Sequence, residues 1–274
     1  MIPKIIHYCW FGGNELSDRE LYCISSWKKF CPGYEIRRWD EKCFDVNSNR
    51  YCKEAYERKK WAFVSDYARF KILYEEGGLY FDTDVEMIKS IDDIVEKGSF
   101  FGFERADFDC AVAPGLGMGV ERHNNLYKEI LQYYDNTAFI RADGKENLRT
   151  VVDLVTMIFR EHGLESDLEI QEICGFYLYP YEYFSPMNFI TGKITLTENT
   201  RSIHHYTGSW KTPLELKIQE RQYQFVSIFG EKIGLFFGFI YGALRCCCCR
   251  IQTNGFPKTI VHYLRILSRG KTND

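Results

Sequence analysis

At Ala68–Met87, ARFKILYEEGGLYFDTDVEM, a helix-like stretch runs into a strand-like one with no loop between them. Phe63, Tyr67, Phe70 and Tyr74 recur at helical spacing, which predicts a helix over 62–76. Gly77-Gly78 ends it, because glycine tolerates the left-handed backbone that a helix stop requires. An apolar strand, Leu79 to Phe81, follows at once. A helix that delivers its chain straight into a buried strand belongs to α/β architecture. Two aspartates, Asp82 and Asp84, then close the strand.

The rest of the chain alternates in the same way. KIIHYCWF, residues 4–11, is an apolar run closed by Gly12-Gly13 and reads as a first buried strand. Ser17-Asp18-Arg19-Glu20 has the form of a capping box and starts a helix that runs to about Phe30. Pro32-Gly33 is a turn, and YEIRRWD is a second strand. Further strands are expected near Phe100–Phe103, Phe176–Tyr179 and Ser202–Tyr206, and helices near Asn124–Tyr134 and Leu148–Glu161. The pattern predicts a mostly parallel, Rossmann-like central sheet with helices on both faces, followed by a helical tail. The boundary is drawn between residues 1–212 and 213–274.

Ligands of such sheets sit beyond the carboxyl ends of the strands, where Asp82 and Asp84 fall. In extended chain the two would share a side, about 7 Å apart. Bare like charges repel, and a divalent cation such as magnesium or manganese, which seeks oxygen ligands, removes the conflict. Alone, Asp-x-Asp is too short to identify anything. Three further stretches add to it. Asp66 and Arg69 are three apart on the predicted helix and share a face; an exposed pair of this kind is worth only a few tenths of a kcal/mol. IHHYTGSW, residues 203–210, ends a strand in two histidines, either of which is able to complete a metal site begun by carboxylates. Trp10, beside two glycines at a strand end, suits stacking on a flat base.

The net charge of −3 argues against nucleic acid as the partner. The start of the chain lacks the basic and long apolar regions of a signal peptide. With eleven cysteines, that points to reduced thiols in a cytoplasmic protein. No repeated Cys-x2-Cys pair among Cys9, Cys23, Cys31, Cys43, Cys52, Cys110 and Cys174 supports structural zinc.

Taken together and in this order, these stretches resemble a family of bacterial and fungal glycosyltransferases that carry a DXD sugar-binding region. Capsular polysaccharide and mannosyl transferases belong to it, and the glucosylating domains of large clostridial toxins are more remotely similar. The resemblance rests on Ile2-Pro3-Lys4-Ile5-Ile6-His7 with Trp10, Ser65-Asp66-Tyr67-Ala68-Arg69, Gly77-Gly78-Leu79-Tyr80-Phe81-Asp82-Thr83-Asp84, and His204-His205-Tyr206-Thr207-Gly208-Ser209-Trp210. It implies a GT-A fold, Mn2+ or Mg2+, a nucleotide-sugar donor (a UDP-sugar favoured, with GDP-mannose also suiting the family) and a saccharide or lipid-linked saccharide acceptor. It also implies retention at the anomeric carbon and a place in surface polysaccharide synthesis. Under it Trp10 stacks on the base, and Asp66 and Arg69 hold the sugar hydroxyls and the diphosphate side. Asp82, with Thr83 beside it, meets ribose or sugar and the metal's water shell. Asp84 binds the metal, with His205 preferred over His204 as the remaining ligand, and Ser209 and Trp210 close over the diphosphate.

Two other readings of the same residues are a haloacid-dehalogenase-like phosphatase with Asp82 as nucleophile and a non-catalytic protein that binds sugar nucleotides. Against the first, about 80 residues precede a motif that normally opens its domain. CAVAPGLGMGVERHN, residues 110–124, is glycine-rich but lacks the Gly-Lys-Ser/Thr of a phosphate loop, and reads as a strand and turn near the sugar site. In the tail, IGLFFGFIYGAL (233–244) is twelve uncharged residues. That is about 18 Å as a helix against about 30 Å for a bilayer core. From Arg245 on, six basic residues (Arg245, Arg250, Lys258, Arg265, Arg269, Lys271) face one acid, Asp274. This suits peripheral contact with the inner face of an anionic membrane, or packing on the catalytic domain or a second copy. The run Cys246–Cys249 has no physical account.

Overall fold

The computed structural model describes residues 1–104, 111–166, 169–208 and 211–254, the side chains of 247–254 excepted. The order is β1 (Ile5–Cys9), α1 (Asp18–Phe30), β2 (Glu35–Trp39), α2 (Arg50–Glu57), α3 (Trp61–Glu76), β3 (Gly78–Tyr80), β4 (Val85–Met87), α4 (Asp92–Lys97), β5 (Ser99–Gly102), β6 (Met118–Val120), α5 (Asn125–Asp135), α6 (Val151–Glu161), β7 (Gln171–Ile173), β8 (Phe176–Tyr179), β9 (Ser202–His204), α7 (Pro213–Phe229) and α8 (Glu231–Asn254). The chain forms two compact units. Met1–Asn188 with Lys193–Trp210 make the first, and Phe189–Gly192 with Lys211–Asp274 the second.

In the first unit seven strands form one sheet in the order β2-β1-β3-β6-β5-β8-β7. β1 is parallel to β2 and β3, and β5 is parallel to β8, whereas β6 and β7 run antiparallel to their neighbours. Five of the seven strands thus point one way, and the α/β expectation of a mostly parallel sheet is met. Side chains alternate across it as the pleat dictates. Ile6, Tyr8, Leu79, Phe81 and Phe100 enter one apolar cluster with Ile24 and Trp27 of α1 and Ile94 of α4. Cys9, Tyr80, Phe101 and Met118 enter the other with residues of α2, α3, α5 and α6. Both faces are covered by helices. A small second sheet pairs β4 with β9, antiparallel.

The local signals that start and stop these elements act as the sequence suggests. Ser17 and Glu20 make the reciprocal capping box of α1. Gly77 caps α3 with φ of 64°, and Gly78 follows at 103°. Space also requires the pair. A Cβ on Gly77 would lie 2.9 Å from Pro3 Cδ, and one on Gly78 would lie 2.7 Å from the Ile5 carbonyl oxygen and 3.1 Å from the His7 ring. The glycines therefore let α3 turn into β3 directly against β1. His7 is buried there, accepting from Trp39 Nε1–H at Nδ1 (3.0 Å) and so donating from Nε2 to the Gly77 carbonyl (3.0 Å). Burial pushes its pKa down to about 4, so the ring is neutral.

The second unit contains α7 and α8. Thr212 and Glu215 form a capping box with Pro213 in the first turn, so α7 starts as firmly as α1. No helix among the described residues is long and apolar enough to cross a membrane.

Candidate active site around Asp82 and Asp84

β3 and β1 run parallel and end together, which brings Trp10 and Asp82 to one edge of the sheet. Beyond that edge the chain departs from the sequence expectation. The Val85 N–H donates to the Asp82 carbonyl at 3.1 Å, closing a tight turn over Asp82-Thr83-Asp84-Val85. The two aspartates are therefore not side by side on an extended strand. They stand on either side of a turn that hands the chain from the large sheet to the small one, and each collects its own partners. α1 pins the exit of the turn: Trp27 Nε1–H donates to the Val85 carbonyl (2.7 Å), and Met87 N–H donates to Ser26 Oγ (2.8 Å).

Asp82 joins a cluster seated on α3. Arg69 places Nη2 3.1 Å from Asp66 Oδ1 and 3.4 Å from Asp82 Oδ1, and its Nε donates to the Ser65 carbonyl of its own helix. Its guanidinium lies over the Tyr80 ring at 4.7 Å, and the Tyr80 hydroxyl donates to Asp82 Oδ1 at 3.1 Å. Asp66 and Arg69 are buried, so the pair is not the exposed one that would contribute little. Burial pushes the Asp66 carboxyl up, Arg69 opposes that, and Asp82 adds to it. Burial disfavours the Arg69 cation, but Asp82, Tyr80 and Asp66 outweigh it and keep the charge. The Asp82 side chain alone keeps appreciable exposure, 32%. Gly115 lies against it: its carbonyl accepts from Asp82 N–H at 2.9 Å, and a Cβ at Gly115 would overlap Asp82 Oδ2. The glycine-rich stretch is thus a close-packed wall of this cluster, a role the sequence hid because no motif distinguishes it from a flexible turn.

Asp84 is buried and faces β9. Its Oδ1 lies 3.0 Å from His204 Nε2, and its Oδ2 accepts from Thr207 N–H (2.9 Å) and Thr207 Oγ1–H (3.0 Å). Burial alone would raise the Asp84 carboxyl, but His204 and the Thr207 bonds hold it well below the usual carboxylate range. Burial lowers the His204 pKa, and Asp84, then Asp82 and Glu104, more than reverse that. His205, preferred from the sequence, is directed elsewhere. Its Nε2 meets Glu86 Oε2 at 2.8 Å, and the other Glu86 oxygen accepts from Tyr22. Successive residues of a strand point to opposite faces, so adjacent histidines do not both reach Asp84. Thr207 went unassigned in the sequence although it stands in the same His-His stretch.

Trp10 is half-buried, its Nε1–H held by the Asn14 carbonyl at 2.7 Å. The loop after it borders a cavity of about 530 Å3 lined by Gly12, Asn14, Glu41, Tyr56, Lys59 and Trp61. Glu41 accepts from Gly12 N–H at 2.6 Å on one side of that space. Thr83 is half-buried in the turn. Ser209 and Trp210 lie outside the described residues, as does Cys110, the first residue of the glycine-rich stretch.

The Asp84 side fits a small divalent cation. A carboxylate oxygen and a ring nitrogen 3.0 Å apart match two neighbouring ligands at right angles on an ion with bonds of about 2.1 Å. Among the described residues no three His, Cys, Asp or Glu side chains converge to cage a metal. A magnesium-like ion held by two protein ligands would take its remaining ligands from phosphate oxygens and water.

Residues 17–101 match the model of a family described as a glycosyltransferase sugar-binding region containing a DXD motif. An uncharacterized glycosyltransferase, L373, of Acanthamoeba polyphaga mimivirus is 33% identical over 111 residues, 37% of this chain and 43% of that protein. Inositol phosphoceramide mannosyltransferase 1 of Schizosaccharomyces pombe is 29% identical over 110 residues, 36% of this chain and 33% of that protein. Subversion of eukaryotic traffic protein A of Legionella pneumophila is 27% identical over 31% of this chain and 17% of its own length. The chain thus matches less than half the length of each of these relatives. Among solved structures, PaToxG glycosyltransferase has a TM-score of 0.46 and 19% identity, covering 58% of this chain and 69% of that one. Asp66, Arg69 and the Asp82-Thr83-Asp84 turn all lie in the segment, residues 17–101, that matches the DXD-containing glycosyltransferase sugar-binding region.

Proposed function

We propose that the chain is a metal-dependent glycosyltransferase that moves a sugar from a nucleotide-sugar donor to a saccharide or lipid-linked saccharide acceptor. The observation that carries this reading is the pairing of Asp84 with His204 one turn away from the Asp66–Arg69–Asp82 cluster, both within reach of one sheet edge. Asp84 and His204 would hold Mn2+ or Mg2+ together with the donor's phosphates. When bound, the cation supplies stabilisation of the negative charge that develops on the departing nucleoside diphosphate.

In this reading Asp82, the most open member of its cluster, meets the donor. Arg69 and Asp66 set its carboxylate and carry the positive and negative charge that the sugar and diphosphate face. Thr207 orients Asp84 through two hydrogen bonds, as outer partners of metal-binding carboxylates do. Trp10 and the cavity beside it take the base, Thr83 lies under the donor, and Ser209 with Trp210 close over the diphosphate. The glycosyl carbon becomes cation-like as the diphosphate leaves, so the site needs charge placement more than a strong nucleophile. Retention at the anomeric carbon belongs to this reading through the family resemblance. The match to the DXD region favours it over a phosphatase that uses Asp82 as a nucleophile.

The test is a screen of the purified chain with UDP-galactose, UDP-N-acetylglucosamine and GDP-mannose in the presence of Mn2+. Release of nucleoside diphosphate from one donor, abolished by a chelator and restored by Mn2+, is the expected outcome. A protein that neither binds nor cleaves any activated sugar at saturating Mn2+ contradicts the proposal.

A further inference from the structure

The sequence feature that sugar transfer leaves unused is the apolar tail, and α7 with α8 gives it a specific form. Gly234, Gly238 and Gly242 recur every four residues on one side of α8. A Cβ at Gly234 would collide with the Val226 backbone, one at Gly238 would lie 2.8 Å from Gln222 Cγ, and one at Gly242 3.2 Å from Ile218 Cγ2. The glycines therefore form a seam on which α8 packs closely against α7, the kind of approach small residues allow between apolar helices. That seam uses the inner face of α8. Its other side carries a stripe at helical spacing, Ile233, Phe236, Phe237, Ile240 and Leu244, exposed by 55%, 60%, 40%, 38% and 61%. Phe237 continues the stripe onto α7 through ring contacts with Phe225 (6.1 Å) and Phe229 (5.2 Å).

Large aromatic and aliphatic side chains in one exposed stripe mark an interaction surface. The charge pattern says with what. Between Arg221 and Arg245 the only charged residues are Glu231 and Lys232, and from Arg245 onward six basic residues stand against the single acid Asp274. An apolar stripe that leads into an excess of cations complements a bilayer surface with anionic headgroups, where each cation adds attraction. We propose that the α7–α8 hairpin is a peripheral membrane anchor that lies in the headgroup region of anionic bilayers, with the Ile233–Leu244 stripe turned into the lipid. The inference stands apart from the donor chemistry and is read out without it.

Flotation of the full chain with vesicles of phosphatidylcholine alone, and of phosphatidylcholine with phosphatidylserine, tests it. The chain is expected to float with the anionic vesicles and to be released as salt rises. Phe236→Ser with Ile240→Ser, both at exposed positions that leave the glycine seam intact, is expected to reduce the bound fraction at least tenfold at unchanged helix content. Three results overturn the proposal: no flotation with either vesicle, binding that the double substitution leaves unchanged, or a soluble dimer in sedimentation velocity that the same substitution converts to monomer. The last would assign the stripe to a second copy.

Discussion

Two aspartates separated by one residue have surroundings of different origin. Asp82 is held by neighbours in sequence: Tyr80 two residues before it, and Arg69 and Asp66 one helix earlier. Asp84 is held by His204 and Thr207, about 120 residues onward, through a two-stranded sheet that exists only in the folded chain. The first cluster is buried around a cation the protein owns. The second pairs a buried acid with an imidazole, the two groups to which the proposed function assigns the cation. Arg69 neutralises the first cluster from within, and the turn at Asp82–Val85 separates it from the second.

The comparison breaks most visibly at Arg69. Arg69→Ala removes the charge between two carboxylates and leaves Asp66 buried without it, so a stability loss of about 3 to 5 kcal/mol is expected in denaturant unfolding. A loss under about 1 kcal/mol, the ordinary value of an exposed pair, would show that the cluster is not what holds Asp82. On the other side, Asp84→Asn keeps the side-chain shape and an acceptor for Thr207 but removes the charge. It is expected to lower turnover of the donor by about a hundredfold to a thousandfold, with a smaller change in stability than Arg69→Ala. Retained metal-dependent turnover would remove Asp84 from the cation site.

The platform beneath both aspartates gives a pH signature. His7 is buried and neutral, with its pKa lowered to about 4 from 6.5. The unfolded chain therefore binds this proton at higher pH than the folded one. Its contribution is fully present above about pH 6.5 and is lost as pH falls towards about 4, by about 3 kcal/mol. Unfolding of the wild type and of His7→Gln at pH 7 and pH 4.5 checks this. A pH dependence identical in the two proteins would assign acid sensitivity to other groups.

Much of the fold was legible because its signals are local. The capping box at Ser17, the glycine stop at Gly77, the Pro32-Gly33 turn before β2 and the apolar runs of β1 and β8 act within a few residues, and each of these elements lies where the pattern predicts. β4 and β7 are three residues long, too short for an alternating pattern, so the sequence predicts neither and only pairing partners define them, whereas β9 lies within the strand expected near Ser202–Tyr206. The same holds for the site. Asp66 and Arg69 share a helix face, and their proximity followed from a spacing of three. The turn after β3 depends on one hydrogen bond between Val85 and Asp82, and the extended reading of Asp82-Thr83-Asp84 missed it. Which of two adjacent histidines meets Asp84 is decided by the register of β9 on β4, which no local pattern carries. Gly115 needed the folded chain for the same reason: only there does the absence of a side chain make space for Asp82.

That histidine choice gives the sharpest test of how the Asp84 side works. Mn2+-dependent donor turnover and Mn2+ affinity in the presence of nucleoside diphosphate are to be measured for His204→Ala and His205→Ala side by side. Removing His204 is expected to weaken both by about tenfold to a hundredfold or more, while removing His205, which faces Glu86, leaves them within about threefold. Loss of metal dependence in His205→Ala with His204→Ala unaffected would contradict the assignment of Asp84 and His204 as the cation's ligands.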